Sequence, residues 1–145
     1  MADSAGVKQG FGEARVRVRY AETDQMGVVY HSNYLIWFEI GRVELIRSMG
    51  LNYKQMEAEE GCGISVVDVH VRYRASARYD DELVVQTTLQ AARGPVIRFG
   101  YKILRVEDGV LLCEGETMHV VVGKDMKKRS LPPKYAERFA AHLIS

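Results

Sequence analysis

Apolar and polar positions alternate strictly from Ala14 to Tyr20, with Val16, Val18 and Tyr20 on one side and Arg15, Arg17 and Arg19 on the other. Successive side chains of a strand point to opposite faces, so this segment predicts a strand buried on one face. From Tyr34 to Met49 the period changes. Leu35, Phe38, Leu45, Ile46 and Met49 recur at helical spacing, while Ile36, Trp37 and Ile40 widen the apolar surface. Glu39, Arg42, Glu44 and Arg47 leave one polar side, so the helix needs cover on most of its circumference. Ser32 or Asn33 stands where a side-chain oxygen caps a helix start, and Gly50 where a left-handed residue ends one. A shorter helix is predicted over Tyr53 to Glu60, stopped by Gly61 and Gly63.

Alternation then returns. Val67, Val69, Val71 and Tyr73 are interleaved with Asp68, His70, Arg72 and Arg74, and Leu83, Val85, Thr87 and Leu89 follow the same rule. The turn at Arg93, Gly94 and Pro95 leads into Ile97, Phe99, Tyr101 and Ile103, and Glu107, Asp108 and Gly109 lead into a last strand from Val110 to Val122. The order is strand, buried helix, short helix and four strands in meander-like succession, an α+β arrangement. A strongly curved antiparallel sheet wrapping the long helix supplies the cover that helix needs. Past Lys127, Lys128 and Arg129 the chain leaves the sheet through Pro132 and Pro133 and ends in an amphipathic turn or two from Tyr135 to Leu143.

With 145 residues, 47% of them hydrophobic and 27% charged, the chain has the size and composition of one globular domain. A net charge of +1 argues against general nucleic-acid binding, which needs a surplus of Lys and Arg. Cys62 and Cys113 form neither a zinc nor a redox motif and read as buried reduced thiols. The stretch Met1 to Glu13 lacks the basic start and apolar run of a signal peptide, and no apolar run reaches the roughly 18 residues of a membrane span. A cytoplasmic protein without membrane contact is the expectation.

The segment from Asp24 to His31 joins the first strand to the long helix, which places a carboxylate beside unpaired N–H groups and the positive end of the macrodipole. That position suits a developing oxyanion. Gly27 allows a turn or a close approach of ligand. Glu22, Asp24 and His31 are also possible metal ligands, a less favoured reading than catalysis without metal or cofactor. His70, His119 and His142 have no supporting constellation and read as structural.

Arg19, Tyr20, Glu22, Thr23, Asp24, Gly27, Val28, Val29, Tyr30, His31, Asn33 and Tyr34, together with the stretch from Tyr73 to Leu83, resemble the 4-hydroxybenzoyl-CoA thioesterase family of hotdog proteins, especially its bacterial acyl-CoA thioesterase branch. The resemblance spans about Glu13 to Met126. It implies a hotdog fold, with a five-stranded sheet around a central helix, and hydrolysis of an acyl-CoA carrying a short aliphatic or aromatic acyl group. Asp24 would then act on the thioester carbonyl as nucleophile or as base, and the backbone N–H of His31 would hold the oxyanion. Gly27, Tyr30 and Asn33 would lie against the substrate. Glu39, two helical turns beyond His31, would face the acyl pocket or else pair with Arg42 or solvent. Arg93 and Arg129 roughly match basic positions for the CoA phosphates. The family also implies a homo-oligomer, a dimer or a tetramer, with sheets paired edge to edge and active sites between subunits. The alternatives are a non-catalytic acyl-CoA-binding module and an acyl carrier protein thioesterase; the motif of a hotdog dehydratase is not found.

Overall fold

The structure is a computed structural model and describes residues 11–143, so Met1 to Gly10 of the N-terminal reading lie outside it. Strand β1 (Phe11–Arg17) precedes helix α1 (Asn33–Ser48) and helix α2 (Tyr53–Glu60). Strands β2 (Gly63–Tyr73), β3 (Glu82–Arg93), β4 (Val96–Arg105) and β5 (Leu111–Val122) follow, and helix α3 (Pro133–Ala141) ends the chain. All five strands form one antiparallel sheet in the order β1-β3-β4-β5-β2. The sheet curves around α1, as the periodicity and the resemblance predict: a hotdog fold.

Three details depart from the sequence reading. β1 stops at Arg17, and Tyr20 starts a short 3-10 turn, Tyr20–Glu22, with its ring 77% exposed. The alternation continues past the strand because Val18, although outside it, is also buried in the core; its N–H donates to the Asp81 carbonyl at 2.9 Å. The meander covers β3, β4 and β5 alone, since β2 crosses to the far edge and pairs with β5. Neither Ser32 nor Asn33 caps α1 through its side chain. Ser32 already has helical backbone (φ −70°, ψ −19°), whereas a capping side chain needs an extended residue to reach the next amides. Asn52, which is extended, does cap α2 by accepting from the Gln55 N–H at 3.0 Å.

The core lies between α1 and the concave face of the sheet. Trp37, Phe38, Leu45 and Ile46 of α1 meet Leu83, Val85, Leu89, Ile97, Phe99 and Ile103, all buried. Gly41 sets the approach, because a Cβ there would lie 2.3 Å from Thr87 Oγ1 and 2.8 Å from Val85 Cγ1. α1 therefore rests on the β1–β3 half of the sheet. Its other side is less covered than the apolar pattern predicts, with Ile36 50% and Ile40 37% exposed. Gly50, at φ +81°, ends the helix as expected, and Arg138 of α3 donates to the Met49 carbonyl there at 2.6 Å. Cys62 and Cys113 are buried free thiols. Among the described residues no helix is long and apolar enough to cross a membrane.

Candidate active site

Between β1 and α1 the chain folds into a loop held by its own polar groups. The Glu22 carboxylate, buried, accepts from the Arg19 N–H at 2.7 Å and from its guanidinium at 3.2 Å. The Glu22 carbonyl accepts from the Tyr30 N–H at 2.9 Å and from the Asn33 amide at 2.8 Å. Asn33, expected at the substrate, thus spends its amide nitrogen on the loop. Thr23 and Val29 form an isolated bridge, and between them the Asp24 N–H bonds to the Val28 carbonyl and the Gly27 N–H to the Asp24 carbonyl, both at 2.9 Å. Gly27 sits at φ +79°, where a side chain is strained, while the space around it is open apart from Arg78. Its role is the turn.

Within this turn Asp24 Oδ1 accepts from the Met26 N–H at 2.8 Å. The second carboxylate oxygen has no hydrogen-bond partner among the described residues. Asp24 lines an open pocket of about 350 Å³ together with Tyr30, His31, Tyr34, Tyr73 and Ser76. At its wall α1 begins in tight turns, the Tyr34 N–H reaching the His31 carbonyl at 3.4 Å and the Leu35 N–H the Ser32 carbonyl at 3.2 Å. Ahead of these, the N–H groups of His31 and Ser32 meet no acceptor among the described residues. Asp24, with a free carboxylate oxygen, and His31, with a free amide donor ahead of the helix, therefore line one pocket. Such an arrangement can deliver an oxygen nucleophile, or a base for water, to a carbonyl whose oxygen gains negative charge.

Two tyrosines that carried the resemblance but were given no site role hold the pocket wall. The Tyr73 hydroxyl donates to the His31 carbonyl at 3.0 Å, and the Tyr34 hydroxyl accepts from the Ala77 N–H at 3.1 Å. Burial raises the pKa of both phenols, so each stays a neutral hydroxyl. The His31 ring leans on Tyr30, centroids 4.5 Å apart. Tyr73 opens the second stretch of the family resemblance and is the last residue of β2, a position that signals function only once pairing brings β2 beside α1.

The other expected residues lie elsewhere in the chain. Glu39, exposed, lines grooves farther along α1 and makes no ion pair with Arg42. Arg93 ends β3 at the hairpin, and the Arg129 N–H donates to the Val121 carbonyl. Both are at the end of the sheet where Gly63 pairs with Val122, whereas Tyr73 pairs with Cys113. Ten residues of β2 separate the two ends, about 33 Å at the usual rise. Among the described residues no group of three His, Cys, Asp or Glu side chains gathers as a metal site.

The profile of the thioesterase-like superfamily matches residues 18–139. The chain belongs to this family. YneP of Bacillus subtilis is 40% identical over 113 residues, 78% of this chain and 80% of that one. The acyl-CoA thioester hydrolase YbgC of Escherichia coli is 37% identical over 125 residues, 86% and 92% of the two chains. Among solved structures, the DHNA-CoA thioesterase of Staphylococcus aureus superposes with a TM-score of 0.86 at 32% identity, over 90% of this chain and 89% of that one. The protein is thus a hotdog-fold thioesterase.

Proposed function

We propose that the protein hydrolyses acyl-CoA thioesters to the free acid and CoA, with Asp24 as the catalytic carboxylate and the His31 N–H as oxyanion donor. The observation that carries this reading is that Asp24, with one unpartnered oxygen, lines one pocket with His31, whose N–H ahead of α1 meets no acceptor among the described residues. Acting as nucleophile, that oxygen bonds to the thioester carbon, the C–S bond breaks, CoA leaves as thiolate, and water cleaves the resulting anhydride. Acting as base, it takes a proton from water as the hydroxide adds to the same carbon, and the C–S bond then breaks with CoA leaving as thiolate. In both routes the carbonyl oxygen becomes an anion, and a backbone donor aimed at it is worth about 10²–10³ in rate. The names of YbgC, an acyl-CoA thioester hydrolase, and of the staphylococcal DHNA-CoA thioesterase support this substrate class; a short aliphatic or aromatic acyl group is the part of the reading that the family resemblance carries.

The active unit is a homo-oligomer joined through the β2 edge. That edge presents Val66, Val67 and Val69, each at least 43% exposed, beside Ile36 and Ile40 of α1. An unpaired apolar edge of this kind is a template for pairing, and a second copy removes it symmetrically. Antiparallel self-pairing sets the Gly63 end of one β2 beside the Tyr73 end of the other. Arg93 and Arg129 then approach the partner's Asp24 pocket, where they hold CoA phosphates.

Asp24→Asn tests the catalytic assignment. Asparagine keeps the Oδ1 acceptor for the Met26 N–H, so the turn survives, but it can neither attack nor take a proton. Acyl-CoA turnover should fall by about 10²–10⁴ with the far-ultraviolet circular dichroism unchanged. A near-parent rate, with reversion to Asp excluded by mass spectrometry, removes Asp24 from the chemistry.

A further inference from the structure

Because α1 rests on the β1–β3 half of the sheet, a slot runs along its other side, between α1 and β2. Its two parts are the Asp24 pocket, where the Tyr34 and Tyr73 rings meet edge-on at 5.4 Å, and, past these rings, a groove of about 250 Å³ bordered by Leu35, Phe38, Val66 and Val69 and by the polar side chains of Glu39, Arg42 and Thr117. Most of this lining is apolar. Its floor is not: Thr117 belongs to a buried polar chain, with Oγ1 2.6 Å from the Tyr101 hydroxyl and 2.7 Å from His119 Nε2. Phe38 stacks on Tyr101 at 4.2 Å and Phe99 meets the His119 ring edge-on at 5.4 Å, so aromatic rings enclose the chain. His119 is fully buried and its Nδ1 has no partner.

The hydrogen-bond valences leave one vacancy at this floor. A hydroxyl has one proton and two lone pairs. With the protons running one way along Tyr101, Thr117 and His119, Thr117 Oγ1 donates once and accepts once and keeps a lone pair; with both neighbours donating to it, it keeps its own proton. Arg42, on the wall of the same groove, makes no ion pair among the described residues. Its charge acts on the chain, opposing the burial that raises Tyr101 and adding to the burial that pushes His119 down to about 4. A donor-only cation, the exposed Glu39 carboxylate and a buried hydroxyl with one free valence therefore border one largely apolar groove. A ligand hydroxyl can accept from Arg42 and fill the free valence of Thr117 in either sense, as donor or as acceptor; an alkyl end does neither.

We infer that the slot between α1 and β2 receives the acyl chain and that Thr117 and Arg42 select chains bearing a hydroxyl at the far end. The inference rests on the thioesterase reading of Asp24, and in the proposed assembly the second copy roofs the slot. The reach is set by the sheet. Tyr73, at the level of the oxyanion site, pairs with Cys113, and Val69 pairs with Thr117. Four strand residues separate these levels, about 13 Å. A short acyl group ends before Thr117, and a medium-length straight chain reaches it.

The test is a ladder of straight-chain acyl-CoAs, each assayed beside its ω-hydroxy counterpart, with the parent and with Thr117→Val, an isosteric change. The parent should favour the ω-hydroxy ester by about tenfold in kcat/KM at medium length, without preference at short lengths. Thr117→Val should erase that preference by slowing the ω-hydroxy ester alone. A second variant, Arg42→Gln, retains a donor without the charge and should keep part of the preference. A purely structural Thr117 shifts every ester equally, which overturns the inference, as does a parent ratio near one at all lengths. Failure to hydrolyse any ester overturns the reading of Asp24 instead, so the two failures are distinct.

Discussion

Two carboxylates, two residues apart, have opposite surroundings. Glu22 is buried and fully engaged by Arg19, so its charge is committed to holding the loop. Asp24 is half-buried, gives one oxygen to the turn and keeps the other for the pocket. His119 is a third titratable group with a measurable signature. Its folded pKa, about 4, lies below its ordinary value of 6.5 because burial penalises the cation. As pH falls, the unfolded chain takes the proton first. The contribution of neutral His119 is therefore complete above about pH 6.5 and is lost between there and about pH 4, at a slope approaching 1.4 kcal/mol per pH unit. His119→Gln should flatten this part of the profile. Urea unfolding at several pH values between about 6.5 and 5 measures it, and identical slopes for parent and variant contradict the burial argument.

At the level of elements, Gly41 decides where the helix lies. Replacing glycine by alanine inside a helix ordinarily gains about 0.5–1 kcal/mol. Here the added Cβ meets Thr87 and Val85 below normal contact distance, and overpacking a core costs about 1–3 kcal/mol. Gly41→Ala should thus lower stability by about 1 kcal/mol or more in thermal or chemical unfolding; a stabilised variant means that the helix can rise off β3 freely. This contact was not legible in the sequence, since Gly41 and Thr87 are brought together by packing alone. The helices, all five strands and the turn at Gly50 were legible, because periodicity and glycine placement are local. The path of β2 was not. A period of two says that a strand exists, not which neighbour it pairs with, and only the pairing places Tyr73 beside His31. The loop residues Asp24, Gly27 and His31 could be singled out through their spacing, while the Thr117 and His119 chain depends on facing strands and carried no local signal.

For the whole molecule, the separation of Asp24 from Arg93 and Arg129 makes assembly a functional matter. If CoA phosphates bind those arginines while the thioester lies at Asp24, one chain cannot do both across about 33 Å of sheet. Two copies joined through β2 can, since antiparallel pairing reverses one strand against the other. Charge at the centre of the proposed seam should therefore separate the copies: Val67→Lys together with Ile36→Lys places like charges on both sides of a two-fold interface. Light scattering should give a multiple of the 16.4 kDa chain mass for the parent and the single mass for the variant. The separated chain should retain its circular dichroism but lose most acyl-CoA turnover. Arg129→Ala in the intact assembly makes a narrower change, raising KM for CoA esters several-fold while leaving thioesters of a truncated, phosphate-free carrier unaffected. A parent that is monomeric at micromolar concentration and still prefers the CoA ester would place the phosphates elsewhere, with Arg74 and Arg78 beside the Asp24 loop as the guanidinium groups nearest to hand.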